Sequence, residues 1–192
     1  MDPGITDGQH TRLYDTNALQ RVLDTMAAGV SARLAGADQV SLVGVLRRGA
    51  PLADMLQERL VQRLPRTDMQ RIDLSIKRYS DDLKLLHPQT QLIEQPEHTN
   101  MDLSGRVVVL VDDVLYGGFS LNRAVQYLVA KQVKTIHTVV LVDRVCATLP
   151  IHADVSGMKL QVEPGSIVEC HVPPYEPTFQ IVLVQPSAQA QG

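Results

Sequence analysis

The sequence predicts an α/β fold, a mainly parallel sheet flanked by helices. Three observations carry this. Unbroken β-branched and apolar runs, above all residues 107–111 and 135–142, read as strands buried on both faces. Between such runs the apolar residues change to helical spacing, as in Leu121, Ala124, Val125, Leu128 and Val129. Strands and helices then alternate along the chain, the pattern of crossover units. With 192 residues, 44% of them hydrophobic, the chain can bury one substantial core. No repeat or linker divides it, so residues 1–192 are expected to form a single domain.

Each element has its own signals. Residues 1–14 are polar and hold Gly and Pro, and are expected to be a loose arm. Asp15 or Thr16 can cap a helix whose Leu19, Val22, Leu23, Met26, Val30 and Leu34 share one face, with Gly36 ending it. Residues 40–46 read as a short buried strand ending in Arg47-Arg48-Gly49. Pro51 suits the first turn of the next helix, which carries Leu52, Met55, Leu56 and Leu60 on one stripe. Residues 73–77 form a more polar strand candidate. Residues 79–105 are expected to be a flexible loop acting as a lid, or in part a hairpin arm. Further strands are expected at 135–142, 167–172 and 178–184, and a frayed tail at 185–192.

Composition excludes several classes. No apolar run reaches the roughly 20 residues of a membrane helix. The start, Met1-Asp2-Pro3-Gly4, lacks a basic and apolar leader. A formal net charge of −3 argues against a broadly basic nucleic-acid-binding domain. Cys146 and Cys170 lack zinc spacing and read as free thiols of a reducing cytoplasm, with Cys146 a small, partly buried hydrophobe. The histidines, His87, His98, His137, His152 and His171 among them, are scattered without ligand spacing, so no side-chain metal cluster is expected.

One stretch organises the rest: a buried strand, then Asp112-Asp113, Val114, Leu115, Tyr116, the pair Gly117-Gly118, Phe119, Ser120 and a helix. Glycines let a ligand approach the main chain closely. A helix start offers free N–H groups to a phosphate. Ser120 can cap the helix or bond a phosphate oxygen. Carboxylates accept hydrogen bonds from sugar hydroxyls. The stretch therefore suits a phosphorylated sugar, although an ordinary strand-turn-helix with two solvated aspartates gives the same pattern. Three expected strands end in chemistry: Arg47-Arg48-Gly49, Asp112-Asp113 and Asp143-Arg144. In such sheets ligands bind beyond the carboxyl ends of the strands.

At these residues the chain resembles the type I phosphoribosyltransferases, with their phosphoribosyl-pyrophosphate (PRPP) motif. The run Val111-Asp112-Asp113-Val114-Leu115-Tyr116 is similar to the form in the pyrimidine-operon regulator family, which doubles as uracil phosphoribosyltransferase (PyrR). Four more matches follow the same order: Val43-Gly44-Val45 with Arg48-Gly49 and Pro51-Leu52-Ala53; Asp73 with Tyr79 and Asp81-Asp82-Leu83; Leu141-Val142-Asp143-Arg144; and Leu149-Pro150-Ile151 with Ala153-Asp154. The resemblance implies a type I phosphoribosyltransferase fold with a flexible arm or hood. It also implies the reaction of uracil with PRPP to UMP and pyrophosphate, with Mg²⁺. By the same resemblance Asp112 and Asp113 bind the ribose hydroxyls, and residues 116–120 cradle the 5′-phosphate. Arg47, Arg48 and Gly49 hold the pyrophosphate. Arg144, Leu149, Pro150 and Ile151 sit over the base. Homo-oligomerisation is implied too.

Three regions depart from the family pattern, the first being the loop after residues 40–46, with Leu46-Arg47 where the family tends to have a polar residue and threonine. Where the family reads Thr-Gly-Arg-Thr, this chain has Gly117-Gly118-Phe119-Ser120, so PRPP binding is expected to be weakened rather than lost. The family's Asp-Arg-Gly-His-Arg-Glu-Leu-Pro-Ile becomes Asp143-Arg144-Val145-Cys146-Ala147-Thr148-Leu149-Pro150-Ile151. The missing basic groups argue against RNA binding. Two other readings stay open, an RNA- or nucleotide-sensing regulator and a catalytically silent member that acts through protein contacts.

Overall fold

The structure is a computed structural model that describes residues 8–65, 67–77, 91–94 and 101–186. In chain order the elements are β1 (Gly8–Tyr14), α1 (Thr16–Arg33), β2 (Gln39–Leu46), α2 (Gly49–Arg63), β3 (Asp68–Lys77), β4 (Gln91–Glu94), β5 (Val107–Leu115), α3 (Phe119–Ala130), β6 (Thr135–Asp143), β7 (Val155–Lys159), β8 (Ile167–His171) and β9 (Gln180–Pro186). The main sheet runs β4-β3-β2-β5-β6-β7, and β1-β9-β8 form a second, smaller sheet. Strands β3, β2, β5, β6 and β7 are mutually parallel, and β4 alone runs antiparallel, at the edge beside β3.

The apolar runs explain the layering. Successive side chains of a strand point to opposite faces, so a run apolar at every position needs a cover on both. In β5, Val109 and Val111 join one core with α1 and α2, while Val108 and Leu110 join the other with α3. The first core also takes Val168, Cys170, Val172, Phe179 and Ile181, so the small sheet packs on the α1–α2 side. Asp15 caps α1 as expected, its Oδ1 accepting the Ala18 N–H at 2.8 Å. At the amino ends of the strands the buried guanidinium of Arg106 donates to Ser41 Oγ, to the Val40 and Asp68 carbonyls and to the Asp68 carboxylate.

Several expectations need correction. Residues 8–14 are not a loose arm: they form β1, antiparallel to β9. That strand is almost wholly exposed, so backbone pairing rather than apolar side chains holds it and no apolar period marks it. Strand β9 extends through Gln185 and Pro186, where fraying was expected. Strand β7 was not foreseen; Gly157 lets it pass so close to the chain that a Cβ there would meet Leu141 O at 2.7 Å. The strand expected at 73–77 begins five residues earlier, at Asp68. Val129 lies on the exposed side of α3, and Cys146 is exposed rather than partly buried. Of the expected lid, 79–105, residues 91–94 make a hairpin-like pairing with β3, residues 101–105 lead into β5 with Leu103 buried in the core, and 79–90 and 95–100 lie outside the described residues.

Candidate active site

The sheet order brings the three chemical strand ends together. Strands β2, β5 and β6 are neighbours. From β2 the chain crosses to β3 on one side, while β5 pairs on the other, so the chain order switches direction between β2 and β5. Strand β5 outruns β2: its last pairing with β2 is Gly44 with Val111, whereas its pairing with β6 continues to Leu115 with Asp143. Asp112 and Asp113 therefore lie inside β5 rather than beyond its end.

Close glycine contacts fix the loop after β2 against the acidic pair. A Cβ on Gly49 would meet Val111 O at 2.5 Å and Asp112 Cα at 3.1 Å. A Cβ on Gly44 would meet Ala50 Cα at 2.6 Å. Only glycine permits this approach, and it sets Arg48-Gly49 beside Asp112. The peptide between Leu46 and Arg47 is cis.

The two aspartates differ. Asp112 is 7% exposed, and its Oδ1 accepts the Asp113 N–H at 2.9 Å. Burial, and after it the neighbouring Asp113 charge, pushes the Asp112 carboxyl well above the usual range. Asp113 is half-buried and accepts the Val114 N–H at 2.9 Å. Two adjoining carboxylates, one of them desolvated, favour an approaching cation. Among the described residues no group of three or more His, Cys, Asp or Glu could cage a metal ion. The pair thus fits a cation whose remaining ligands are substrate oxygens and water, the habit of Mg²⁺.

The turn after β5 forms a hollow of about 170 Å³ lined by Asp112 and residues 114–121. Gly118 has φ 85°, the left-handed region, and serves as the N-cap of α3. Ser120 does not cap the helix; it stands inside the first turn. The first main-chain N–H groups of α3 have no partner within the helix itself and form the positive end of its dipole. Ile151 and Leu149 pack on Gly118, where a Cβ would meet Ile151 Cγ2 at 2.7 Å. Thr148 adds bonds from its N–H and hydroxyl to Gly117 O, at 3.3 and 3.2 Å.

A second hollow, about 300 Å³, adjoins the first through Val114 and Tyr116. Arg144, Ser166 and Val168 line it as well. Arg144 is 8% exposed, its N–H bonds Leu115 O at 3.0 Å, and its guanidinium lies 5.5 Å from the Tyr116 ring centroid. Its Nε has no acceptor among the described residues. Of the residues expected over the base, Arg144 reaches this hollow. Leu149 and Ile151 pack against Gly118 in the turn after β5, and Pro150 is exposed.

The sequence reading missed the β8–β9 loop. Glu176 from that loop accepts from Arg48 Nε at 3.1 Å and Nη2 at 2.5 Å, and from the Val172 N–H at 2.8 Å. Burial alone would raise the Glu176 pKa, but the bonds from Arg48 and Val172 overcome it and hold the carboxyl below its ordinary value. Arg47 lies over the Tyr175 ring at 5.7 Å. No local signal marks a partner 128 residues away.

The geometry has counterparts among known proteins. Residues 9–177 match the model of the phosphoribosyl transferase domain. This chain belongs to the phosphoribosyltransferase family. Within it the chain groups with the PyrR proteins: it is 32% identical over 178 residues to the bifunctional protein PyrR of Actinobacillus pleuropneumoniae serotype 5b, covering 90% of this chain and 96% of the relative. The PyrR of Clostridium acetobutylicum is 31% identical, covering 84% and 89%. Among solved structures, a hypoxanthine phosphoribosyltransferase from Trypanosoma cruzi shares the fold with a TM-score of 0.72 at 19% identity, over 91% of this chain and 95% of that one. This phosphoribosyltransferase thus has the type I fold, a five-stranded parallel core with flanking helices. No helix among its described residues is long and apolar enough to cross a membrane.

Proposed function

We propose that this phosphoribosyltransferase transfers the phosphoribosyl group of PRPP to uracil, releasing pyrophosphate and forming UMP. The observation that supports this most is the packing of Arg48-Gly49 directly on Asp112, beside a glycine turn that opens a helix. That single corner offers a cation for the leaving pyrophosphate, carboxylates for the ribose hydroxyls and main-chain N–H groups for the 5′-phosphate. Membership among the PyrR proteins supports the base and the setting, pyrimidine salvage or regulation.

In the reaction the bond from C1 to pyrophosphate breaks while uracil N1 bonds C1, the leaving pyrophosphate taking the bonding pair and the N1 proton passing to solvent. Positive charge grows on the ribose and negative charge on the leaving group. Mg²⁺, when bound, supplies charge stabilisation to the pyrophosphate oxygens. Arg48 and Arg47 stabilise the same charge from the loop after β2. Asp112 and Asp113 orient the ribose through its hydroxyls and keep a negative field beneath it. The turn at 116–120 fixes the 5′-phosphate, Gly118 giving it the left-handed backbone that opens α3. Arg144 sits beside the base, where its donors can meet a carbonyl oxygen. No side chain acts as nucleophile, because the base itself attacks. By the same reading residues 1–192 form one domain working in the cytoplasm as a homo-oligomer.

A PRPP-dependent consumption assay across uracil, orotate, hypoxanthine, guanine and adenine tests this reading. Uracil is expected to be used; if no base is consumed, the transferase reading fails. One observation favours a second reading, a sensor that binds PRPP or UMP without turnover: the phosphate turn has no arginine and no threonine. Binding of Mg²⁺-PRPP without consumption of any base would select it. A gel shift with pyrimidine-operon leader RNA, with and without UMP, would add or exclude RNA as its target.

A further inference from the structure

Two consecutive residues of the β8–β9 loop meet the two consecutive arginines after β2. Tyr175 lies under Arg47, and Glu176 grips Arg48. The grip is one-sided. The carboxylate takes Nε and Nη2 of Arg48, and Nη1 has no partner among the described residues. An arginine has five N–H donors in a rigid planar fork, so fixing one edge fixes where the others point.

Glu176 is itself held before it meets Arg48. Its second oxygen accepts the Val172 N–H at 2.8 Å, and the Tyr175 N–H returns to Val172 O at 3.1 Å. Val172 is fully buried in the α1–α2 core. The carboxylate therefore stands on a tight turn anchored in the core, and cannot swing aside without leaving a main-chain donor unpaired.

We propose that Glu176 is a positioning residue for this transferase: it locks the Nε–Nη2 edge of Arg48, so that the guanidinium presents its remaining donors to the pyrophosphate of PRPP. The proposal rests on the phosphoribosyltransferase reading above. It gives the small sheet a function, since β8 and β9 then carry the brace of a loop that belongs to the main sheet. The opposite role, a carboxylate that occupies Arg48 and must be displaced by pyrophosphate, fits less well. Glu176 is tied to its own turn, and among the described residues nothing occupies Nη1 of Arg48.

The test is a double-mutant cycle read by isothermal titration of inorganic pyrophosphate with Mg²⁺ into wild type, Glu176→Gln, Arg48→Gln and the double variant. Glutamine keeps the size and can still accept the Val172 N–H, but loses the charge. Glu176→Gln is expected to weaken pyrophosphate about three- to tenfold. KM for PRPP should rise by the same factor, with KM for uracil unchanged. In the Arg48→Gln background the same change should cost nothing. Unchanged pyrophosphate affinity, a loss that persists without Arg48, or tighter binding in Glu176→Gln would each overturn the proposal, the last in favour of displacement. Should Glu176→Gln fail to fold, Glu176→Asp, which keeps the charge but shortens the reach by one methylene, carries the same cycle. Because pyrophosphate is titrated without a base, coupled binding with no turnover would sink the transferase reading alone. A wild type that binds neither pyrophosphate nor PRPP would sink both.

Discussion

Gly117 and Phe119 depart from the family's phosphate turn together, and the structure gives a reason. A Cβ at 117 would stand 2.9 Å from Phe119 Cδ2, so a threonine there cannot coexist with the ring as placed. Gly117→Thr alone is therefore expected to cost about 1–3 kcal/mol of stability in thermal unfolding. Phe119→Arg alone should tighten PRPP about three- to tenfold by titration. The two together should tighten it further without the stability loss, a non-additivity expected of touching residues. Asp112 makes a second prediction. Its folded pKa lies above its unfolded value, so its contribution to stability is complete below about pH 4 and is lost as pH rises through the raised value. At neutral pH Asp112→Asn should abolish turnover yet raise the Tm of the unliganded protein, and the Tm gain should fade on acidification. An Asn variant with unchanged turnover would remove Asp112 from the site. These residues were legible in the sequence because their chemistry is local: acid pair, glycines and helix start follow one another. The packing of Leu149 and Ile151 on Gly118 was not legible, because spacing along a loop does not say which neighbour it packs on.

At the scale of elements, strands with a buried face on each side announced themselves through β-branched runs, and helices α1 and α2 through their apolar stripes. Strand β1 did not, because six backbone pairings with β9 hold it while five of its seven side chains lie exposed. Strand β7, five residues with a central glycine, is too short and too small-sided to show a period. The element with the sharpest mutational expectation is β5, through Arg106 at its start. That buried guanidinium ties β5 to β2 and β3 at the end of the sheet away from the site. Arg106→Met would leave the Ser41 hydroxyl without its donor and is expected to lower stability by about 2 kcal/mol or more in denaturant unfolding. KM for PRPP should not move, and a change in it comparable to the stability loss would mean that Arg106 acts on the site itself.

For the whole molecule, the main sheet supplies the chemistry and the small sheet the brace. A parallel α/β arrangement was foreseeable, but the strand order β4-β3-β2-β5-β6-β7 was not, and neither was the contact between Arg48 and Glu176, which joins residues 128 positions apart from two different sheets. The small sheet should be sensitive to its edge. Removal of residues 1–14 takes β1 from β9 and is expected to lower Tm by about 3 °C or more. It should also loosen the β8–β9 loop enough to weaken pyrophosphate binding; a truncated chain with unaltered Tm and affinity would return residues 8–14 to the status of an arm. The central claim, that the corner between β2 and β5 is a working PRPP site, is tested most directly by one assay: PRPP-dependent formation of UMP from uracil with Mg²⁺, run on wild type and on the Asp112→Asn, Asp113→Asn double variant. The account predicts UMP from the first and none from the second. Equal rates in the two proteins, or no product from wild type together with no PRPP binding at millimolar concentration, would contradict it.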